Sequence, residues 1–195
     1  MKALAEVLRA GRRLRAIGFD DAPFAKSAGA PVPVSGIVTS GTRFEGMLWG
    51  QATRDGSDGT DVIAGLLARS KFAAQVHVVL TDGLTIGGLN VLDLAALHTS
   101  AGVPCIAVMR RAPDLPRFRR TLDTQPDGAA RWECVQRAGP VHERDGFVFQ
   151  VVGAEPAEAA LALKRLTDRG KVPEPLRLAH LIGAAVITGE SGKRA

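Results

Sequence analysis

Two short, almost wholly apolar segments constrain the fold more than any other feature: Val76–Leu80 (VHVVL) and Val103–Met109 (VPCIAVM). A near-continuous apolar run of this length is typical of strands that are covered on both faces of a sheet. Between them, the residues from about Asn90 to Thr99 predict a helix. Strands connected through a helix are expected to be parallel, with a right-handed crossover. The chain is therefore predicted to belong to the α/β class.

Other periodic segments complete this architecture. Apolar and alternating patterns predict further strands at Arg13–Phe19, Val32–Thr39, Gly46–Thr53 and, as an edge strand, Val148–Val152. Helical spacing predicts helices at Asp58–Phe72, Leu115–Asp123, Pro156–Asp168 and Glu174–Thr188. Three early strands joined by short turns, followed by alternating helices and strands, predict a mixed sheet flanked by helices. This order matches the ribonuclease H-like arrangement, with an ordinary doubly wound sheet as the alternative.

The size and composition of the chain narrow its class. A length of 195 residues fits a single domain, 1–195. No apolar run approaches the ~18 residues that a membrane span needs, so we expect no membrane association. Two cysteines cannot build a disulfide framework, which favours a reducing, cytoplasmic location.

The charge balance favours a polyanionic partner. The 25 basic and 20 acidic residues give a formal net charge of +5, which suits a nucleic acid but could also reflect a biased coding composition. One arginine cluster includes Arg110 and Arg111, which we expect to contact a phosphate backbone; a solvated helix face is the alternative. Aromatic residues make up only 5% of the chain, which argues against a stacking platform for single strands.

Aspartates end two of the predicted strands. Asp20 follows Ile17-Gly18-Phe19, and Asp82 follows Val79-Leu80-Thr81. Ligand sites of open α/β sheets lie at the carboxyl ends of the strands, where these two side chains would meet if their strands are parallel neighbours. Carboxylate oxygens are the preferred ligands of Mg²⁺, and paired ions can promote displacement at a phosphodiester. The alternative is that each aspartate caps a loop or helix.

Three further features adjoin this edge. Asp58 is the favoured third acidic candidate, with Asp61 and Asp55 behind it, although capping of the following helix explains Asp58 and Asp61 equally well. The loop containing Gly87 and Gly88 would let a backbone approach phosphate. His180, on the last helix, is either a partly buried structural residue or a metal ligand or proton donor.

Four segments together resemble one family. They are IGFDDAPF at Ile17–Phe24, DGSDGT at Asp55–Thr60, LTDGLTIGGLNVLDL at Leu80–Leu94 and PEPLRLAHLIGAAVITGES at Pro173–Ser191. They resemble the UPF0215 family, the endonuclease dU group that is related to endonuclease V. The resemblance implies a ribonuclease H-like fold and a divalent-metal-dependent nuclease acting on nucleic acid with deaminated bases.

The resemblance also implies roles for particular residues. Asp20 and Asp82 match the metal-binding aspartates, and His180 follows the P-E-P-x-R-x-A stretch, whose Arg177 we expect to contact nucleic acid. Endonuclease V carries a glutamate at a helix start where this chain has none, so Asp58 or Asp61 would substitute for it. The tyrosine-containing wedge of endonuclease V has no counterpart here, since the chain contains no tyrosine.

We therefore expect an endonuclease that uses Mg²⁺ or Mn²⁺ to hydrolyse DNA near deoxyuridine or deoxyinosine. Asp20, Asp82 and Asp58 would be the metal ligands, and His180 a ligand or proton shuttle. An extruded base would lie near Gly87 and Gly88. The alternatives are a non-catalytic nucleic-acid-binding module of the same fold and an RNA-directed nuclease.

Overall fold

A seven-stranded mixed sheet organises the molecule in the computed structural model, which describes residues 3–192. Residues 1–2 and 193–195 of the predicted domain lie outside this range. The strands follow the spatial order β3-β2-β1-β4-β7-β9-β8. They are β1 (Arg15–Asp21), β2 (Pro31–Ser40), β3 (Arg43–Thr53), β4 (Val78–Asp82), β7 (Cys105–Met109), β8 (His142–Arg144) and β9 (Phe147–Val152). A separate two-stranded hairpin consists of β5 (Thr85–Ile86) and β6 (Asn90–Val91).

The centre of the sheet is parallel and its flanks are antiparallel. Strands β1, β4 and β7 are parallel neighbours, while β2 and β3 on one side and β9 and β8 on the other run antiparallel. The register pairs Gly18 with Leu80 and Phe19 with Thr81, so Asp20 and Asp82 are the next residues of two adjacent parallel strands. This confirms the expected mixed α/β sheet.

Helices cover both faces of the sheet. They are α1 (Leu4–Arg9), α2 (Gly59–Ala68), α3 (Leu94–Ala101), α4 (Leu115–Leu122), α5 (Gly128–Arg137), α6 (Pro156–Arg165) and α7 (Glu174–Thr188). One core lies beneath α2, α3 and α5 and contains Phe19 and Val79. The other lies beneath α1 and α6 and contains Ala16 and Leu80. Among residues 3–192, no helix is long and apolar enough to cross a bilayer.

The predicted start of the third helix is wrong by four residues. Asn90 and Val91 belong to β6, and α3 begins at Leu94 because the Asp93 carboxylate accepts hydrogen bonds from the backbone of Ala95 and Ala96. An N-cap aspartate of this kind fixes the first turn of a helix. Asn90 is instead buried, and its side chain bonds the loop before α2.

The predicted edge position of the last strand is also wrong. Strand β9 is internal, because the three-residue strand β8 pairs along its outer side. Strand β8 consists of His142, Glu143 and Arg144, which show none of the apolar alternation that sequence patterns detect. Two short or polar helices, α1 and α5, were likewise not predicted.

Candidate functional site

Two carboxylates meet at the carboxyl edge of the parallel strands. Asp20 and Asp82 lie on the same face of the sheet, since side chains alternate along a strand and the register aligns Gly18 with Leu80. Asp20 is only 8% exposed. Burial and the charges of Asp82 and Asp21 raise the pKa of Asp20 to about 8. Burial also raises the pKa of Asp82, partly opposed by the positive charge of Arg110. The surroundings thus disfavour the ionised form of both carboxylates.

His180 completes this cluster from helix α7. Its Nδ1 lies 3.0 Å from Oδ2 of Asp20, although 160 residues separate the two in the sequence. Gly18 makes this approach possible, because a Cβ there would lie 2.7 Å from atoms of Pro175. The first turn of α7 therefore rests directly on the backbone of β1, and His180 follows just over one helical turn later. The predicted proximity of Asp20, Asp82 and His180 is thus observed in the structure.

Asp21 is the third carboxylate of the site, and it was not among the predicted ligands. Its charge raises the pKa of Asp20, and burial raises its own pKa. Its Oδ2 accepts a hydrogen bond of 2.6 Å from the backbone N–H of Gly87. The sequence signal for Asp21 was the doublet Asp20-Asp21. Side chains alternate along a strand, so two consecutive acidic residues at a strand end place a carboxylate on each face of the sheet.

Asp58 is engaged in hydrogen bonds with Thr53 and Asn90, and its role as a metal ligand stays a prediction. Its carboxylate accepts hydrogen bonds from the backbone N–H and hydroxyl of Thr53 and from the side-chain amide of Asn90, at 2.7–3.0 Å. Burial alone would raise the pKa of Asp58, but these hydrogen bonds outweigh it and hold the pKa below its usual range. Asp58 therefore ties the end of β3 to β6. Asp61, the alternative, is exposed in the first turn of α2.

The loop with Gly87 and Gly88 lies at the acidic edge, as expected. Gly87 binds Asp21, and Gly88 has a φ of +92° with Asp55 so close that a Cβ would collide with its carboxylate. Oδ1 of Asp55 accepts a hydrogen bond of 2.9 Å from the backbone of Leu89. Only glycine suits such a position. The loop is therefore shaped by its contacts with Asp21 and Asp55.

A buried arginine of α5 forms hydrogen bonds with the backbone of this loop. Arg131 donates to the backbone carbonyls of Leu89 and Asp55 and to the carboxylate of Asp127. It thus joins the loop after β3 to the loop between β5 and β6. Sequence reasoning missed this residue together with its helix.

The predicted phosphate-binding arginines differ in their surroundings. Arg110 is 57% exposed, and its Nη2 lies 4.0 Å from Oδ2 of Asp82, so it borders the acidic cluster. Arg111 lines a surface cleft with Arg117 at the start of α4. Arg177 is held by two hydrogen bonds to Glu174, at 2.7 and 2.8 Å. Arg177 therefore braces the first turn of α7 through Nε and Nη2, while its side chain remains 38% exposed and its contact with nucleic acid stays a prediction.

The acidic cluster suits a divalent cation that is completed by other ligands. Within residues 3–192, no group of three or more His, Cys, Asp or Glu side chains is arranged to hold a metal ion by itself. Mg²⁺, however, is usually held by one or two carboxylates together with waters and substrate phosphates. Asp20 and Asp82 supply such a pair of hard oxygen ligands.

The matching family model and the similar proteins identify the same family. The family model described as "Endonuclease dU" matches residues 12–187. A UPF0215 protein of Deinococcus radiodurans is 40% identical over 95% of each chain, and one of Methanothermobacter thermautotrophicus is 38% identical over 91% of this chain and 90% of the relative.

The fold of this chain is similar to several solved structures. A protein of unknown function from Archaeoglobus fulgidus has a TM-score of 0.85 and 33% identity, and the match covers 91% of this chain and all of that one. The catalytic domain of human endonuclease V has a TM-score of 0.59 at 15% identity, covering 97% and 88% of the two chains. Ciona intestinalis endonuclease V, solved with a DNA containing inosine, has a TM-score of 0.54 at 13% identity, covering 90% of each chain. The predicted ribonuclease H-like fold is confirmed.

Proposed function

This chain belongs to the endonuclease dU family, and from that membership we propose that it is a metal-dependent endonuclease acting on DNA near a deaminated base, deoxyuridine or deoxyinosine. The observation that carries the proposal is the meeting of Asp20, Asp82 and His180 at one edge of the sheet. Buried carboxylates that repel each other are typical of functional sites, where a cation or substrate offsets the repulsion.

Asp20 and Asp82 would hold Mg²⁺ or Mn²⁺ in this proposal. Their oxygens are the donor type that these hard cations prefer, and a bound cation would stabilise the ionised form of both side chains. When bound, the metal would polarise the phosphodiester and stabilise the charge that develops on the attacking and leaving oxygens. Asp21 adds negative charge to the same edge.

The protein's own side chains would position the substrate and move a proton. The contact between Nδ1 of His180 and Asp20 orients the imidazole, so that its other ring nitrogen, Nε2, is the atom that can donate a proton to the leaving oxygen. Arg110, half-exposed beside Asp82, would pair with a phosphate oxygen.

DNA is the proposed polymer. Support comes from the family description and from the endonuclease V neighbour that was solved with inosine-containing DNA. The exposed arginines of α4 continue from Arg110 along the surface and offer a track for the phosphate backbone.

A cleavage assay on matched duplexes tests the proposal. Labelled duplexes with deoxyuridine, deoxyinosine or no lesion are incubated with Mg²⁺, Mn²⁺ or EDTA. We expect lesion-dependent, metal-dependent cleavage, and a loss of more than about 100-fold in kcat/KM for Asp82→Asn, since even the supporting residues of a metal site contribute about 10–100-fold. Asp145→Asn, the same change in the exposed β8–β9 turn, is the control and should leave the rate unchanged.

Other results would point to a different function. Cleavage that is independent of the lesion, or that Asp82→Asn leaves unchanged, contradicts the proposal. Salt-sensitive binding without turnover would indicate a non-catalytic nucleic-acid-binding module. Faster cleavage of a matched RNA substrate would indicate an RNA-directed nuclease.

A further inference from the structure

The two edges of the seven-stranded sheet differ in length and charge. At one edge lies β8, which has only three residues, His142, Glu143 and Arg144. At the other lies β3, which has eleven, and no strand within residues 3–192 pairs with its outer side. Proteins normally protect an exposed edge by keeping the strand short or by placing charges or proline on it. Strand β8 is protected in this way.

Strand β3 lacks that protection over most of its length. Its charged residues, Arg43 and Glu45, lie at its start, beside the irregularity in its pairing with β2. From there the segment 46–53 (GMLWGQAT) contains no charge and no proline, and it pairs with β2 in an unbroken register. The outward N–H and C=O groups of β3 therefore form a regular template for a further strand.

The side chains of β3 add an apolar surface to this edge. Phe44, Met47 and Trp49 are all exposed, and the register with β2 places them on one face of the sheet. Helix α7 packs on that same face against β1 and β2. A Cβ at Gly183 of α7 would contact Ser35, which is the neighbour of Trp49 on β2. The apolar side chains of β3 thus lie beside α7, on the part of this face that α7 leaves open.

Helix α7 continues the apolar surface. Its second half, 181–187 (LIGAAVI), contains no polar side chain, although only one side of a helix can face the sheet. Val186 and Ile187 are exposed as a result. A helix that is apolar all round is normally buried on all sides. The end of α7 and the outer side of β3 are therefore adjoining surfaces that nothing within residues 3–192 covers.

The area of this surface suits a protein partner. Its exposed residues are five of the six large apolar side chains that are exposed in the described part of the chain, with exposed fractions of 37–56%. At roughly 200 Å² for each large side chain, they present about 400 Å² of apolar surface. A standard interface buries about 800 Å² on each partner, of which about 60% is apolar. The apolar surface of β3 and α7 comes close to that share.

We propose that two copies of this chain form a symmetric dimer in which their β3 strands pair antiparallel and join the two sheets into one. A second copy is the partner that this edge fits, because antiparallel pairing of identical strands is self-complementary about a two-fold axis. An axis through Leu48 places Met47 opposite Trp49 of the second copy, where a sulfur–aromatic contact is favourable. The dimer goes beyond the proposed nuclease function and does not depend on it.

The charges of β3 agree with this pairing. The same axis places Arg43 opposite Thr53 and Glu45 opposite Gln51 of the second copy, so no like charges face each other. Because the axis is perpendicular to the sheet, both α7 helices lie on one face and flank the exposed aromatic side chains. The outer edges of the joined sheet are the short, charged β8 strands, so the assembly stops at two copies.

Sedimentation velocity tests the dimer. We expect the wild-type protein to have twice the 20.5 kDa mass of the chain at micromolar concentrations. Changing Met47 and Trp49 together to Lys places four cations around the axis and should raise the dimer Kd by at least about 100-fold, since like charges in an interface are strongly unfavourable. Leu161→Lys, at the exposed apolar residue of α6, is the matched control and should leave the Kd unchanged.

Hydrogen exchange tests the strand pairing without any substitution. Alternate residues of β3 direct their N–H groups away from β2, and in the dimer these groups donate to the second copy. When dimer exceeds monomer about tenfold, their exchange should slow by about the same factor, because they then exchange only from the monomer. Peptides from β8 should exchange at a rate that is independent of protein concentration.

Several results would overturn the dimer. The wild-type protein could remain monomeric or form larger assemblies, or the lysine variant could dimerise as the wild-type protein does. A dimer without concentration-dependent protection of 46–53 would assemble through another surface, which also contradicts the proposed pairing. Circular dichroism shows whether the lysine variant is folded, and if it is not, the exchange of the wild-type protein decides the question. None of these outcomes alters the cleavage assay, so the two proposals fail separately.

Discussion

The pKa values of Asp20 and Asp58 shift in opposite directions in this molecule. Burial and neighbouring carboxylates raise the pKa of Asp20, whereas hydrogen bonds from Thr53 and Asn90 lower that of Asp58 despite its burial. The ionised form is therefore poorly stabilised at one position and well stabilised at the other. This difference distinguishes the proposed cation site at Asp20 from the structural hydrogen bonds of Asp58.

At the same scale, His77 links stability to pH. Its Nδ1 accepts a hydrogen bond of 3.0 Å from the backbone N–H of Arg15, and burial lowers its pKa below 6.5. The unfolded chain then binds the proton more readily than the folded protein does. The stabilising contribution is complete above about pH 6.5 and is lost as the pH falls through the pKa of the folded state.

His77→Asn tests this pH dependence, because the amide oxygen can still accept from Arg15 but does not titrate. Urea unfolding at pH 7.5 and pH 5.0 should show a smaller loss of stability for the variant than for the wild-type protein. The same substitution at His142 measures the general effect of losing a histidine. An equally steep loss for His77→Asn would show that His77 is not the group responsible.

At the scale of the element, α5 supports the site although it contributes no residue to the acidic cluster. Its Arg131 bonds two loops that border Gly88, and Arg131 is one of few charged residues buried in the described part of the chain. Helix α7 acts from the other face, where the bare backbone at Gly18 admits its first turn. The candidate site is thus held between two helices from opposite layers.

Arg131→Met should lower the free energy of unfolding by about 1–3 kcal/mol, because it leaves the part-buried backbone carbonyls of Asp55 and Leu89 without their donor. Urea titration provides the measurement. Arg137→Met, on the same helix, removes an exposed ion pair with Asp93 and should have a much smaller effect. Equal losses for the two variants would refute the special role of Arg131.

At the scale of the whole molecule, the basic residues lie at both ends of the sheet. Helix α4 follows β7 and therefore begins near the acidic edge. Exposed arginines lie in the loop before it, at Arg111, and on the helix itself, at Arg117 and Arg120. A second exposed set, Arg9, Arg12 and Arg13, precedes β1 and belongs to the opposite edge. The net charge alone cannot tell which set faces a nucleic acid.

Salt dependence of DNA binding distinguishes the two sets. Changing Arg111, Arg117 and Arg120 to Gln should reduce the slope of log K against log salt by up to about 3, since each phosphate contact contributes about 0.9. The matched triple change at Arg9, Arg12 and Arg13 should leave the slope near the wild-type value. If both triple variants reduce it equally, the charge acts as a diffuse field rather than through a defined surface.

The sequence by itself determined every strand of the main sheet except β8, most helices and the central pair of the candidate site. A buried strand is recognised from its local apolar pattern alone. An aspartate at the end of such a strand lies at the carboxyl edge of the sheet, next to the residue that ends a parallel neighbouring strand. Helix α7 was predicted with its observed bounds, 174–188, because Pro175 marks its first turn and Gly189 ends it in a left-handed conformation. These signals lie within a few residues of the structure that they specify.

Only the tertiary structure decided which side chains act together. Asn90, one partner of Asp58, is 32 residues away from it, and His180, the partner of Asp20, is 160 residues away. The tertiary structure likewise places Asp21 beside Asp20, binds Asp58 to Asn90 and pairs Arg177 with Glu174. The physical reason is that burial and hydrogen bonding determine the protonation state of a side chain and the groups that it can contact. Both depend on residues that are distant in the sequence and meet only in the fold.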